Sequence, residues 1–134
     1  VAEDMKNLPF GEAEPGATGL ELLLSLALRW GGDSGLPLAT TLARVTQGPV
    51  RVLGDALGSL ASSAGRLVEG GVADVCVFDP AVEWAVSPPQ LASQGKHTPF
   101  SFASTGMALP GRVRATLVAG TLAYERPAAP GGSA

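Results

Sequence analysis

Apolar positions in the first third of the chain recur at helical spacing, while those in the second half run in short blocks or alternate. Leu20, Leu23, Leu24, Ala27 and Leu28 share one helical face, and Leu22 and Leu26 widen it. Thr18 and Glu21 precede this run at the spacing of a capping box, and Gly31-Gly32 is expected to end it. So wide an apolar stripe needs cover on more than one side. After the loop 33–36, Pro37 suits the first turn of a second helix with Leu38, Leu42 and Val45 inward and Ala39 and Ala43 beside them. Gly48-Pro49 is expected to break that helix, leaving a short one from Val50 to Leu53 closed by Gly54. Thr40, Thr41, Val45 and Thr46 are β-branched and lower its propensity, so tertiary contacts must hold it.

The period changes along Gly65 to Pro80. A short strand is expected to enter the Glu69-Gly70-Gly71 turn, and a more apolar one, Val75-Cys76-Val77-Phe78, to leave it. The second reads as buried on both faces and as ending at Asp79-Pro80, because Pro lacks the ladder donor and restricts the residue before it. Glu83 to Val86 is a partner strand in this reading. Residues 87–107, with Pro88-Pro89, Gly95, Pro99 and Gly106, form a long irregular loop, which is uncommon unless it is functional or packed on a neighbour. Val113, Ala115 and Leu117 alternate with polar positions, and Ala119-Gly120 turns the chain into Thr121 to Glu125 as a two-residue hairpin. Residues 127–134 read as a disordered tail.

Composition narrows the classes. A chain of 134 residues with 46% hydrophobic content can build a real core. Its net charge of −3 offers nothing to nucleic acid or to an anionic membrane surface, and no apolar stretch reaches spanning length. A single cysteine, Cys76, excludes an internal disulfide and fits a cytoplasmic setting. The start at Val1, with no initiating Met, fits a piece of a longer chain.

Candidate chemistry is sparse. His97 is the lone histidine, no HxH, HExxH or CxxC spacing is present, and a loop histidine of this kind is ordinarily solvated. Cys76, inside an apolar strand, reads as an inert packing thiol. Glu3, Asp4, Glu12 and Glu14 cluster ahead of the first helix, yet without a cationic or metal partner a solvated loop is the better reading. Glu69-Gly70-Gly71-Val72 lies between strands, so it is no phosphate cradle. Pro15-Gly16 makes an exposed turn in which glycine can take positive φ and present its amide. By its residues alone that turn is more simply a lead-in to the helix.

Several blocks in combination carry a resemblance: Lys6-Asn7-Leu8-Pro9-Phe10, Pro15-Gly16-Ala17-Thr18-Gly19-Leu20-Glu21, Thr46 to Gly54, Gly65 to Pro80, Trp84, Lys96-His97-Thr98-Pro99-Phe100 and Leu109 to Val113. Together they resemble the C-terminal part of a type I dihydroorotase of the amidohydrolase superfamily. The resemblance covers nearly all of the chain apart from its tail. It implies an α/β fold in which residues 1–58 end a (β/α)8 barrel, with a substrate loop and the last helices. Residues 59–126 would add strands to a small companion β-domain, and 127–134 remain a tail.

The family's activity is zinc-dependent cyclic-amide hydrolysis, the interconversion of carbamoyl aspartate and dihydroorotate in pyrimidine synthesis. The resemblance implies that the metal ligands lie upstream of this chain, which therefore contains no catalytic or metal-binding residue and is inactive alone. It assigns backbone contacts with the substrate's ring amide to Pro15 and Gly16. Two positions depart from the family pattern. Val1 stands near where active relatives place a carboxylate-binding His, and His97 stands where Asn is usual. The first brings the chain close to noncatalytic dihydroorotase-like proteins that support assembly of aspartate transcarbamoylase. Hydantoinase or allantoinase similarity is the remaining alternative. Expected partners are the rest of its own polypeptide, a homo-oligomer or aspartate transcarbamoylase, and a small-molecule substrate. Leu22, Leu24 and Leu26 are expected to face nothing in a fragment cut here.

Overall fold

The computed structural model describes residues 4–101 and 108–127. The chain is helical first and then forms an antiparallel sheet, a mixed α/β arrangement. A 3-10 turn over Leu20–Leu22 leads directly into α1 (Leu23–Asp33). The tighter winding of that turn shifts the phase of the apolar stripe, so the buried positions are Leu22, Ser25, Leu28 and Gly31, three apart. The expected face was centred elsewhere: Leu20 is 84% exposed and Leu23 is 47% exposed, while Leu22 is fully buried. Leu26 packs against the core as well.

Gly31-Gly32 does not end α1, which continues to Asp33. Gly31 sits where α2 (Leu38–Val45) crosses, and a Cβ there would stand 2.1 Å from Thr41 Oγ1. The chain reverses instead at Gly35, φ +66°. On α2 the buried residue is Thr41, small enough to meet Gly31, whereas Leu38 is exposed and Leu42 and Val45 are only half-buried. Pro37 caps this helix rather than lying inside it. The break expected at Gly48-Pro49 falls earlier, at Thr46, and α3 (Gln47–Leu53) carries Gly48 and Pro49 in its first turn, where a missing N–H is harmless. Gly54, φ +48°, closes α3 as expected. A 3-10 stretch over Gly54–Ser62, kinked at Gly58, then follows where no element was predicted.

The sheet has the order β1-β2-β3, formed by Val75–Trp84, Leu109–Val118 and Thr121–Glu125. The Glu-Gly-Gly turn is present, with the Gly71 amide donating to the Val68 carbonyl at 3.0 Å, but the strand expected before it does not form. Nor does Asp79-Pro80 end a strand, since β1 runs through it as one element. The register slips between the Asp79–Arg112 and Glu83–Pro110 pairs, so Pro80 lies in a bulge where no ladder donor is needed. Asp79 Oδ1 accepts the Ala81 amide at 2.9 Å inside that bulge. The run 75–78 is not buried on both faces, because β1 is an edge strand and Val77 is 44% exposed. The hairpin forms as predicted, with Ala119 and Gly120 both at positive φ and Val118 paired to Thr121.

Leu22, Val86, Leu91 and Leu109 make the core, with Leu26, Trp84 and Phe100 against it. Gly111 lets α1 settle on β2: its φ is +77°, and a Cβ there would lie 2.1 Å from Leu28 Cδ1. Ser25 Oγ donates to the Gly111 carbonyl at 2.7 Å, and Trp84 Nε1 donates to Ser25 Oγ and to the same carbonyl. The expected loop is irregular apart from a 3-10 turn over Pro88–Gln90, and it is packed rather than loose, burying Leu91 and Thr98. Its residues 102–107, the tail 128–134 and Val1 lie outside the described residues.

Candidate functional site

The segment 4–22 builds a turn and then ties it down from both sides. The amides of Glu12 and Ala13 donate to the Pro9 carbonyl, and Glu14 donates to Met5 at 3.3 Å, folding the segment back on itself. Lys6 Nζ donates to the carbonyls of both Glu14 and Gly16, gripping the two residues that flank Pro15. Gly16 has φ +106°, a conformation that L side chains rarely adopt, so glycine is required there. Pro15, Gly16 and Ala17 are exposed, and the amides of Gly16 and Ala17 meet no partner among the described residues.

Beyond the turn, Thr18 and Glu21 do not form the capping box their spacing predicts. The helix start carries no side-chain cap, and both side chains reach into the loop 91–97. Thr18 Oγ1 donates to the Gly95 carbonyl at 2.8 Å, and its amide donates to the His97 carbonyl at 2.8 Å. The Glu21 carboxylate accepts from the amides of Ala92 and Ser93 at 3.0 Å and from Ser93 Oγ at 2.8 Å. Partial burial alone pushes the Glu21 carboxyl upward, but these three hydrogen bonds, with Lys96 nearby, hold it below its ordinary value. Lys96 Nζ in turn donates to the Leu91 carbonyl, closing the loop on itself.

A shallow groove of about 440 Å³ lies between the start of α1 and the sheet, lined by Leu20, Leu24, Trp84, Arg112, Tyr124 and Arg126 among others. Arg112 stacks over the Trp84 ring at 5.4 Å. Among the described residues no histidine or cysteine lines this groove; the Ser93 hydroxyl and the Glu21 carboxylate, hydrogen-bonded to each other at 2.8 Å, both do.

No protein-family model matches the chain. Individual relatives do. A dihydroorotase-like protein of Pseudomonas aeruginosa is 43% identical over 122 residues, 91% of this chain and 26% of the relative. A dihydroorotase-like protein of Pseudomonas putida is 41% identical over 90% of this chain and 26% of its own length. A dihydroorotase of Geobacter metallireducens is 35% identical over 92% of this chain and 26% of its own length. The chain matches a C-terminal portion of proteins named dihydroorotase or dihydroorotase-like protein. It spans about a quarter of the length of the curated relatives it matches.

Among the described residues no three His, Cys, Asp or Glu side chains converge, so they do not fit a zinc ion. His97 contributes its carbonyl, not its ring, to the loop contact, and its side chain is exposed. Glu12 and Glu14 are exposed and Asp4 Oδ1 accepts the Met5 amide, while Glu3 lies outside the described residues. Cys76 is not the buried packing thiol expected but an exposed one on the edge strand. Desolvation by partial burial still raises its pKa, partly offset by a hydrogen bond with Thr116. Pro15 and Gly16 were legible as an exposed turn. The Lys6 grip and the strap from Thr18 and Glu21 were not, because their partners lie at distant or unremarkable backbone carbonyls and amides.

Proposed function

We propose that this chain is part of a dihydroorotase, a cyclic-amide hydrolase that interconverts carbamoyl aspartate and dihydroorotate in pyrimidine synthesis. The observation that carries the reading is the similarity to dihydroorotases and dihydroorotase-like proteins along about nine-tenths of the chain. In this reading zinc is held by residues of the polypeptide outside this segment, and the segment alone is inactive. Its own contribution is the Pro15-Gly16 turn. The exposed amides of Gly16 and Ala17 offer donors to the substrate's ring amide, and Lys6 has already taken the Glu14 and Gly16 carbonyls.

The same reading divides the segment into 1–58, closing a (β/α)8 barrel, and 59–126, adding strands to a companion β-domain, with 127–134 as a tail. The exposed apolar residues along α3 and the 3-10 stretch, Val52, Leu53 and Leu60 among them, are then covered by the remainder of the polypeptide. A cytoplasmic location goes with the pathway; no helix among the described residues is long and apolar enough to cross a membrane.

One observation favours a second reading, a noncatalytic subunit that supports assembly of aspartate transcarbamoylase: two relatives above 40% identity carry the name dihydroorotase-like. The test is carbamoyl aspartate cyclisation and zinc content, measured on the full-length protein. Turnover with bound zinc is expected. No turnover and no zinc, with co-purification of transcarbamoylase, would replace the hydrolase by the assembly subunit.

A further inference from the structure

We propose that Glu21 and Thr18 are positioning residues that strap the loop 91–97 to the Pro15-Gly16 turn, and that this strap, with Lys6 on the other side, sets where the turn meets substrate. The proposal rests on the substrate role given to that turn above.

The loop has one buried apolar anchor, Leu91, and is followed by the buried polar Thr98. What holds the stretch between them is polar. One carboxylate takes three donors from Ala92 and Ser93, a charge-assisted cluster stronger than neutral hydrogen bonds. Thr18 adds two more contacts, one from its side chain to Gly95 and one from its amide to His97. A Cβ on Gly95 would approach Thr18 Oγ1 to 2.8 Å, so the loop passes close against Thr18.

The consequence reaches the turn because Thr18 is two residues from Gly16. Lys6 fixes the carbonyls of Glu14 and Gly16, and the strap fixes Thr18, leaving Pro15-Gly16 held at both ends. Displacements of about 1 Å in a substrate-contacting group are enough to lower rates severely. Four of these strap acceptors and donors, at Ala92, Ser93, Gly95 and His97, are backbone atoms, so the tie at position 97 does not depend on the histidine ring. A capping box would have turned the Glu21 carboxylate back onto the helix start; here it is spent on a loop more than seventy residues away.

The test uses the full-length polypeptide with Glu21→Ala, Glu21→Gln and, should Glu21→Ala fail to fold, Ser93→Ala. Amide hydrogen exchange is followed in peptides covering residues 12–20 and 89–99, beside steady-state kinetics with dihydroorotate. Glu21→Ala is expected to raise exchange about tenfold in both peptides and to raise KM about tenfold with a smaller change in kcat, with Glu21→Gln recovering part of each. Faster exchange confined to 89–99, or an unchanged KM in a wild-type background that turns over, overturns the proposal. If the wild-type protein turns over no dihydroorotate, the functional reading fails, and the exchange at residues 12–20 alone then decides whether the strap holds the turn.

Discussion

Residues 84–111 and residues 47–72 are of similar length, and among the described residues neither holds a long regular element of its own. In the first, Val86, Leu91, Thr98 and Leu109 are buried among the described residues. In the second, no residue is buried, and Val52 and Leu67 are 86% and 79% exposed. Apolar content does not separate them. The difference lies in the reach of their polar contacts. The first stretch is tied across the chain by Glu21, Thr18 and Ser25, each to a partner far away in sequence. In the second, the side-chain bonds are local: Arg51 to Gln47, Ser62 to Ser59 and Arg66 to Ala61. Where long-range polar ties hold an irregular segment against the helix, a few of its apolar residues are enclosed, and where the ties are local none is.

The largest expected effect falls on the core that encloses Val86, Leu91 and Leu109 of the first stretch. Leu22→Ala removes a fully buried side chain from the small core and should destabilise by about 2–5 kcal/mol in thermal melts of the segment and of the full-length polypeptide alike. Val52→Ala in this segment by itself touches only solvent and should stay within about 0.5 kcal/mol. Comparing Val52→Ala in the segment and in the full-length polypeptide sharpens the point, because a larger loss in the latter shows that the missing cover is the rest of the chain. Equal costs for Leu22→Ala and Val52→Ala in the segment would break the contrast.

A smaller effect separates two neighbouring glycines of α1. Gly31→Ala drives a methyl into Thr41, within 2.1 Å of its Oγ1, and should cost about 1–3 kcal/mol. Gly32→Ala meets nothing within 4 Å and should be neutral or stabilising by about 0.5–1 kcal/mol through helix propensity. Paired urea melts of the two variants decide it, and a neutral Gly31→Ala would mean that α2 does not pack where it is placed.

These glycines also show how far the sequence could be read. The helical period, the hairpin at Ala119-Gly120 and the turn at Gly70 depend on local chemistry, and all three are present. Gly31-Gly32 read as a stop because nothing local reveals that Thr41 needs the space. Asp79-Pro80 read as a strand end because a bulge, set by the partner strand's register, is invisible from one strand alone. Thr18 and Glu21 read as a cap because the competing acceptors and donors are backbone groups more than seventy positions away. The Pro15-Gly16 turn was visible for the same reason the hairpin was: proline and glycine announce their own backbone. What positions that turn was not.

The smallest effect is electrostatic and lies in the better-tied region. Glu21 has its pKa held below the ordinary value of 4.5, as hydrogen bonds from Ala92 and Ser93 overcome the upward push of partial burial. A carboxyl whose folded pKa is depressed contributes stability that is complete above its unfolded value and is lost as the pH falls through the folded one. The melting temperature of the wild-type full-length polypeptide should therefore exceed that of Glu21→Gln near about pH 6, and the gap should close toward about pH 3. The carboxylate is partly open to solvent, so screening keeps the gap small, and added salt should narrow it further. A gap that stays constant with pH would mean that the three donors recognise the shape of the side chain and not its charge, and the strap would then owe its strength to geometry alone.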